Sequence, residues 1–468
     1  MRSREKQIPR GPNGGLARDG SRSAEGACAG NRTPIRHGRN AHTNGFAAEL
    51  EYARNEKKDS PGQKPLLRMT AIESHASIDG MKEFEAHPWL RNGHLMTIAG
   101  AFWRRKFSRL PAGEARLFDI AEDGLLVAES DSAAPRIESA ATSAPFATPA
   151  QSAAPAKTKP GRTKPERSLT QVRGDCHWQA NPREHATLVL VHGLEGSSES
   201  GYILGTAEKA FKAGFNVVRL NQRNCGGTEH QTPHLYHSGR SGDVRAVVEE
   251  LIGRDKLPEI FAAGFSMGGN LVLKMAGEYA DAAPAELRGF AAVAPSFVLA
   301  ACADALEEPR NFIYERYFVR KLKARMRRKA ELFPERYAVR VGNGALRAIG
   351  SVREFDEMIT APCSGFAGAE DYYAKASAIN VLAAIARPTL ILTAKDDPFV
   401  PYATFERREV RENANIRLLA TRHGGHCSFI AREGGDERFW CEGRIVGFCT
   451  ENSALARIQA AGPCAGGK

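Results

Sequence analysis

The chain has 468 residues, 42% hydrophobic and 25% charged, which is ordinary for a globular protein and long enough for one large domain or two to three average ones. Its nine cysteines are scattered without any CxxC pair, which argues against a metal site and a disulfide scaffold and favours a reducing compartment. The net charge is +11, and much of the basic excess lies in the first 80 residues and in residues 157–173.

The basic excess has two interpretations, nucleic-acid binding or disordered basic flanks. No zinc-finger, helix-turn-helix or RNA-binding signature accompanies the charge, so we favour the flanks and predict no nucleic-acid partner. No signal peptide is visible. The most apolar long stretch, residues 289–303, is too short to span a bilayer and contains Pro295. The sequence thus predicts a soluble, cytoplasmic protein.

Residues 1–80 are rich in Gly, Arg, Asn and Ser and show no periodic apolar pattern, so we predict a disordered basic extension. Patterned sequence begins near Phe84. Because Met69 and Met81 precede that point, we expect the natural chain to begin at one of them rather than at Met1.

Low-complexity sequence interrupts the first part of the patterned domain. Two apolar runs between residues 115 and 130 flank Glu122-Asp123-Gly124, a turn signal that predicts a hairpin. Residues 131–170 are then dominated by Ala, Ser, Thr, Pro and Lys, a composition that cannot bury a core. We therefore predict one domain over residues 84–450 that contains this insertion, and a C-terminal tail over residues 451–468.

Apolar strands alternate with helical segments from Thr187 onward, which predicts a parallel sheet with crossover helices. The predicted strands cover residues 187–191, 216–220, 260–263, 290–295, 388–393 and 416–420. A helix is predicted over residues 240–253, with its valines and Leu251 on one face. Residues 299–377 contain no convincing strand, so we expect a helical lid region there.

A serine lies at the turn between a predicted strand and a predicted helix, in Gly264-Phe265-Ser266-Met267-Gly268. Such a turn can expose the serine hydroxyl to a base. The five-residue pattern alone is expected by chance in roughly one chain in four or five of this length, so it needs support from the rest of the chain.

Three further predicted strands give that support, because each leads into a polar motif. The motifs are residues 192–196 (HGLEG), residues 396–401 (DDPFVP) and residues 423–426 (HGGH). The order Ser, Asp, His is that of α/β-hydrolase triads and differs from the two common serine protease orders. The predicted fold class is therefore α/β, an α/β-hydrolase fold with a mostly parallel central sheet flanked by helices.

Ser266 is the predicted nucleophile, and it needs a base because an alcohol is a poor nucleophile at neutral pH. His426 is the preferred base since the two preceding glycines let its ring project; His423, nearer the strand end, is the competitor. Asp397 is preferred to Asp396 as the carboxylate that orients the histidine, and Asp396 is interpreted as a loop-capping residue.

The oxyanion of the tetrahedral intermediate needs hydrogen-bond donors that are already in place. We predict the backbone N–H groups of Met267, which follows the nucleophile, and of Leu194 in the first loop. Each of these roles uses the chain's own groups, so no metal or cofactor is predicted.

One polar cluster and one basic segment have no assigned role. Residues 223–227 and 236–239 with Asp243 could shape the pocket or tie their loop to the sheet, and the second is favoured. Residues 314–337 are dense in Arg and Lys, which indicates either a solvated helix face, the favoured interpretation, or a lid surface that meets anionic lipid.

At these motifs the chain resembles the YheT-like branch of the α/β-hydrolase superfamily. The matching stretches lie in order over roughly residues 84–450 and include residues 87–97, 192–198, 236–239, 264–270, 396–399 and 423–429. The resemblance implies a triad of Ser266, Asp397 and His426 and hydrolysis of carboxylic esters, often medium-chain or lipid esters. The insertion after residue 131, Asn224 and Cys427 depart from the family pattern.

The expected function is hydrolysis of small-molecule or lipid carboxylic esters through an acyl-enzyme. One alternative is a thioesterase or an alcohol acyltransferase on the same triad. The other is a non-catalytic binding module, against which the complete triad argues. Peripheral membrane contact is a further expectation, and the sequence leaves the acyl chain length and oligomeric state open.

Overall fold

The structure is a computed structural model, and it describes residues 83–121, 170–342 and 344–461. Several predictions fall elsewhere: the disordered extension over residues 1–80, the starts at Met69 and Met81, and the turn at Glu122-Asp123-Gly124. Almost all of the insertion over residues 131–170 also lies outside the described residues.

The described strands form one eight-stranded sheet in the order β1-β2-β4-β3-β5-β6-β7-β8. The strands are β1 (Glu114–Ile120), β2 (Thr170–His177), β3 (Thr187–Val191), β4 (Asn216–Leu220), β5 (Ile260–Phe265), β6 (Leu287–Val293), β7 (Thr389–Ala394) and β8 (Ile416–Thr421). β1, β2 and β4 pair antiparallel, and the pairs from β4 through β8 are parallel. Parallel strands place their carboxyl ends at one edge of the sheet, so the motifs that follow β3, β5, β7 and β8 lie at the same edge.

Helices connect the parallel strands and extend the chain beyond them. They are α1 (Gly93–Phe102), α2 (Gly201–Lys212), α3 (Ser241–Gly253), α4 (Met267–Tyr279), α5 (Leu299–Glu307), α6 (Phe312–Leu332), α7 (Pro334–Val341), α8 (Ala345–Ala348), α9 (Val352–Phe355), α10 (Ala361–Cys363), α11 (Ala369–Ala376), α12 (Arg408–Arg411), α13 (Trp440–Asn452) and α14 (Ala454–Ala461). A π-helical turn over Asp356–Thr360 joins α9 to α10. Helices α5 to α11 lie within the segment predicted as a lid, and α14 lies within the predicted tail.

The core covers both faces of the sheet, because neighbouring residues of each buried strand point to opposite faces. On one face, Val189 and Val191 pack in a cluster with α3 and α4, whereas Leu188 and Leu190 pack on the other face with α2 and α13. Near-continuous apolar strands covered on both sides are typical of parallel sheets. The predicted α/β class, with a mostly parallel sheet flanked by helices, is confirmed.

Strand β5 extends two residues beyond its predicted end, through Gly264 and Phe265. Gly264 pairs with Val191 of β3 and with Ala292 of β6, so the glycine belongs to the sheet as well as to the turn. Among the described helices, none combines the length and apolarity needed to cross a bilayer.

Candidate active site

Ser266 occupies the turn between β5 and α4 with φ +53° and ψ −120°. A positive φ is uncommon for a residue with a Cβ and costs of the order of 1–3 kcal/mol, so the surrounding packing must hold it. A Cβ at Gly264 would lie 2.1 Å from the carbonyl oxygen of Gly268, and one at Gly268 would lie 2.4 Å from that of His192. Only glycine fits these close approaches, so α4 starts directly against the ends of β3 and β5.

Asp397 and His426 form a hydrogen-bonded pair at the ends of β7 and β8. The distance from His426 Nδ1 to Asp397 Oδ2 is 2.9 Å, and the Asp397 side chain is completely buried. Its other oxygen, Oδ1, accepts hydrogen bonds from the amides of Phe399 (2.8 Å) and Val400 (3.1 Å). The carboxylate is therefore held in one orientation by the turn that follows it.

Electrostatics at this pair favour the imidazolium. Burial by itself would lower the pKa of His426, but the negative charge of Asp397 and its hydrogen bond raise that pKa well above the usual 6.5. When the ring is neutral, its single proton lies on Nδ1, because the Asp397 carboxylate can only accept a hydrogen bond. The lone pair then lies on Nε2.

The alternative base and carboxylate, His423 and Asp396, form a second pair next to that of His426 and Asp397. His423 Nδ1 lies 3.2 Å from Asp396 Oδ2, and Asp396 Oδ1 accepts from the Gly425 amide at 2.9 Å. Ser266 and His426 line the same cavity, whereas Asp396 and His423 are not among the described residues that line it. Asp396 thus stabilises the turn that carries His426.

Thr97 also positions His426, and sequence reasoning gave it no role. The Thr97 hydroxyl donates to Gly93 O (2.7 Å) and accepts from the His426 amide (2.8 Å). Gly425 has φ +56°, and a Cβ there would lie 2.6 Å from Gly93 O. Residues 87–97 carried part of the family resemblance, which was the available signal for this role.

The two predicted oxyanion donors belong to residues that line the cavity with Ser266, namely Leu194 and Met267. The Met267 amide is the first N–H group of α4, and the first N–H groups of a helix have no acceptor within that helix. His192, fully buried, supports the Leu194 turn: its Nδ1 lies 2.8 Å from Gly193 O, and its Nε2 accepts from the Gln222 amide at 3.2 Å. Burial lowers the pKa of His192 to about 4, so its ring is neutral.

The polar segment after β4 ties its loop to the rest of the fold. Arg223 forms a bidentate pair with Asp243 at 2.6 Å for each bond, which ties the loop to α3. Asn224 has φ +62°, a backbone conformation that Asn tolerates better than most residues, so the departure from the family pattern at this position fits the local backbone. Burial raises the pKa of Cys225 to about 12, so this thiol is not a thiolate at neutral pH.

The cavity wall is largely apolar, and much of it comes from α5, α6 and α9. Its apolar members include Leu194, Leu235, Leu299, Cys302, Ala303, Leu306, Phe318, Leu322, Met326, Val352, Phe355, Phe399 and Val400. The described residues contain no group of three or more His, Cys, Asp or Glu side chains arranged to hold a metal ion.

Comparison with known proteins finds a family model and several relatives that match this chain. A family model described as the alpha/beta hydrolase fold matches residues 186–433. An Escherichia coli (strain K12) protein named "Putative esterase YheT" is 33% identical over 279 residues, which cover 59% of this chain and 81% of that protein. Phospholipase ABHD3 of Mus musculus is 30% identical over 245 residues, covering 52% of this chain and 58% of the mouse protein.

Among solved structures, the esterase Pf2001 of Pyrococcus furiosus matches with a TM-score of 0.40 and 15% identity. That match covers 61% of this chain and 89% of the esterase chain.

Proposed function

Because the chain belongs to the α/β-hydrolase family, in its YheT-like branch, we propose that it is a serine hydrolase that cleaves carboxylic esters. One observation carries the proposal: Ser266 on its strained turn and His426, paired with the buried Asp397, line a single cavity. A nucleophile, a base and a group that orients the base are the parts that acyl transfer needs.

In the first half of the proposed reaction, Ser266 Oγ attacks the ester carbonyl carbon while His426 Nε2 takes the hydroxyl proton. Asp397 stabilises the imidazolium that forms. The oxyanion accepts hydrogen bonds from the amides of Met267 and Leu194. When the tetrahedral intermediate collapses, the carbon–oxygen bond to the alcohol breaks, His426 gives its proton to the departing alkoxide, and the acyl group remains on Ser266.

In the second half, His426 Nε2 removes a proton from water, which attacks the acyl-enzyme carbonyl. The second tetrahedral intermediate releases the carboxylic acid, and Ser266 Oγ regains its proton from His426. An alcohol in place of water would give acyl transfer, and a thioester substrate would enter by the same first step. Both alternatives therefore share the acyl-enzyme with ester hydrolysis.

The apolar wall supports a substrate with a medium-chain or lipid acyl group. Side chains from three helices, including Leu306, Leu322 and Phe355, face the cavity and would remove an alkyl chain from water. Burying each methylene is worth about 0.8 kcal/mol, so chain length would affect binding strongly.

We further propose that one face of the protein docks on anionic lipid. His94 of α1 stacks on Tyr314 of α6 with ring centroids 5.7 Å apart, and Tyr314 contacts Phe399, whose ring lies 4.4 Å from that of His426. Helices α1 and α6 carry several exposed apolar side chains. Four of them lie within three residues of His94 or Tyr314 in the chain, and we call them the apolar rim: Leu95, Phe312, Ile313 and Tyr317.

Charge around the apolar rim favours an anionic surface. Helix α6 contains five arginines and three lysines against two glutamates, and Arg316 and Arg320 lie exposed on the rim side of the helix. Exposed apolar side chains interleaved with basic ones are typical of proteins that bind at an anionic membrane interface.

Labelling with a fluorophosphonate probe tests the proposed chemistry, because the probe reacts only with an activated serine. Wild-type protein should label, and Ser266→Ala should not. A folded wild-type protein that fails to label and to hydrolyse p-nitrophenyl esters would favour the binding-module alternative.

A further inference from the structure

His237 lines the same cavity as Ser266, yet the proposed reaction gives it no role. It lies in the loop before α3, within the segment of residues 236–239, and it is only 2% exposed. The loop is firmly held: the Asn270 side chain donates to Ser238 O at 2.8 Å, and the Ser238 amide donates to the Tyr372 hydroxyl at 2.9 Å. The imidazole therefore has a defined position in the wall.

The tautomer of His237 follows from its neighbours. The Gly239 amide donates to Nδ1 at 3.1 Å, so Nδ1 is the unprotonated nitrogen. Burial, together with the positive charges of Arg240 and Arg223, lowers the pKa of His237 well below its usual value and keeps the ring neutral. The single ring proton must then lie on Nε2.

In the part of the chain that the structure describes, Nε2 of His237 is buried and has no hydrogen-bond partner. The rings of Phe366 and Tyr372 meet the imidazole at right angles, with centroids 5.4 and 5.8 Å away. An aromatic face is a weak acceptor and does not replace an oxygen. A buried donor without an acceptor is costly. Because Nε2 has almost no accessible surface, a small displacement of the wall must open it to the cavity, and a substrate oxygen would then bind favourably there.

Other polar groups adjoin His237 in the wall. The Tyr373 hydroxyl donates to Asp356 at 2.8 Å, and the Tyr373 ring packs on Tyr372 with centroids 5.3 Å apart. Burial raises the pKa of Asp356 to about 6. Asp356, Tyr372 and Tyr373 line the cavity together with His237.

We propose that His237 is a specificity-determining residue whose Nε2–H donates to an oxygen of the substrate that is not part of the scissile ester. The preferred substrates are then oxygenated esters, with a carbonyl, ether or hydroxyl oxygen in the acyl or alcohol part, rather than plain alkyl esters. This inference rests on the proposed ester hydrolase function. A site that aims a buried donor at a substrate oxygen rejects analogues that lack the oxygen.

Two variants separate the two nitrogens of the ring. In His237→Asn, the side-chain oxygen can replace Nδ1 as acceptor for the Gly239 amide, but nothing reaches the Nε2 position. In His237→Gln, the longer side chain can carry an N–H group to the Nε2 position. If His237 only holds its loop, Nδ1 is the nitrogen that matters, and His237→Asn should behave more like wild type than His237→Gln. If His237 binds substrate, Nε2 matters, and His237→Gln should behave more like wild type.

The experiment compares kcat/KM for substrates of matched length. On the acyl side these are p-nitrophenyl hexanoate and its 4-oxo and 5-oxo derivatives, and on the alcohol side butyl and 2-methoxyethyl hexanoate. Wild type should prefer at least one oxygenated substrate over its plain partner. His237→Asn should lower that ratio about tenfold, and His237→Gln should keep most of it.

Three results would contradict the inference. Hydrolysis by wild type without preference for any oxygenated ester would overturn it and needs no variant. An equal loss on all substrates in His237→Asn would make His237 a residue that only positions its loop. No hydrolysis of any ester by folded wild type would overturn the proposed function and this inference together.

Discussion

Glu195 and Arg325 form a buried, bidentate ion pair between the turn after β3 and the long helix α6. Arg325 Nε lies 2.8 Å from Glu195 Oε1, and Nη2 lies 2.9 Å from Oε2. The Tyr236 hydroxyl also donates to Oε1, at 2.6 Å. Glu195 directly follows Leu194, so this pair connects a helix of the cavity wall to the residue proposed as an oxyanion donor.

Arg325→Met should therefore lower both stability and activity, because it leaves the Glu195 carboxylate buried without its partner. We expect a loss of about 3–5 kcal/mol in the free energy of unfolding and a lower kcat. Chemical denaturation and steady-state kinetics measure the two effects.

The double variant Glu195→Gln/Arg325→Met should recover most of that stability, since no unpaired charge remains. Arg328→Met is the control on the same helix: Arg328 pairs with Glu331 at 3.1 Å, both side chains are exposed, and the change should cost under about 1 kcal/mol. Equal losses in Arg325→Met and Arg328→Met would refute this role of the pair.

Ser266→Ala should lower kcat for p-nitrophenyl esters by at least about 10³-fold, because the nucleophile is gone and only binding and the oxyanion donors remain. Labelling by a fluorophosphonate should disappear as well. Ser364→Ala removes another largely buried serine, one that is not among the described cavity residues, and should label normally. Undiminished hydrolysis by purified Ser266→Ala would exclude Ser266 as the nucleophile.

Asp397→Asn should lower kcat by about 10³- to 10⁴-fold, since an amide cannot stabilise the His426 imidazolium. Asp396→Asn is a matched control one residue away. Its amide oxygen can still accept from Gly425, so the expected loss is below about tenfold. If Asp396→Asn proves the more damaging change, the assignment of His426 and Asp397 must be exchanged for His423 and Asp396.

The pH dependence of kcat/KM follows from the raised pKa of His426. The reactive ring is neutral, so activity should rise with pH and level off only above a pKa higher than the usual 6.5. Asp397→Asn removes the negative charge that raises this pKa, so its weaker activity should level off at a lower pH. A wild-type midpoint at or below 6.5, measured from pH 5 to 9, would contradict the coupling of His426 to Asp397.

Phe312→Ser/Ile313→Ser should weaken binding to vesicles that contain phosphatidylserine, because two members of the apolar rim no longer enter the interface. Co-sedimentation measures the bound fraction, which should also fall with added salt. Ile458→Ser alters an exposed apolar residue on α14 and is the control. Binding that is unchanged in the rim variant would exclude the rim as a docking surface.

Elements encoded by local apolar patterns could be predicted from the sequence. Strands β3 and β4 have their predicted limits, and helix α3 begins one residue after its predicted start. These patterns report burial of neighbouring residues, which depends on a short stretch of chain. The end of β5 was predicted less well, because Gly264 is required both by the strand pairing and by the contact with Gly268.

The site was only partly predictable for a related reason. The motifs around Ser266, Asp397 and His426 each follow a strand, and their order in the chain can be read directly. The partners of those motifs cannot, because Thr97 and His426 lie 329 residues apart and Glu195 and Arg325 lie 130 apart. No periodic signal links residues at such separations.

The sequence by itself thus determined the fold class, the parallel strands β3 to β8 and the candidate chemistry, since these depend on local patterns and on motif order. Only the tertiary structure decided that His426 rather than His423 faces the cavity of Ser266, and that His237 carries a buried donor there. Both outcomes depend on how distant segments pack against one another, which sets where each side chain points and what it contacts.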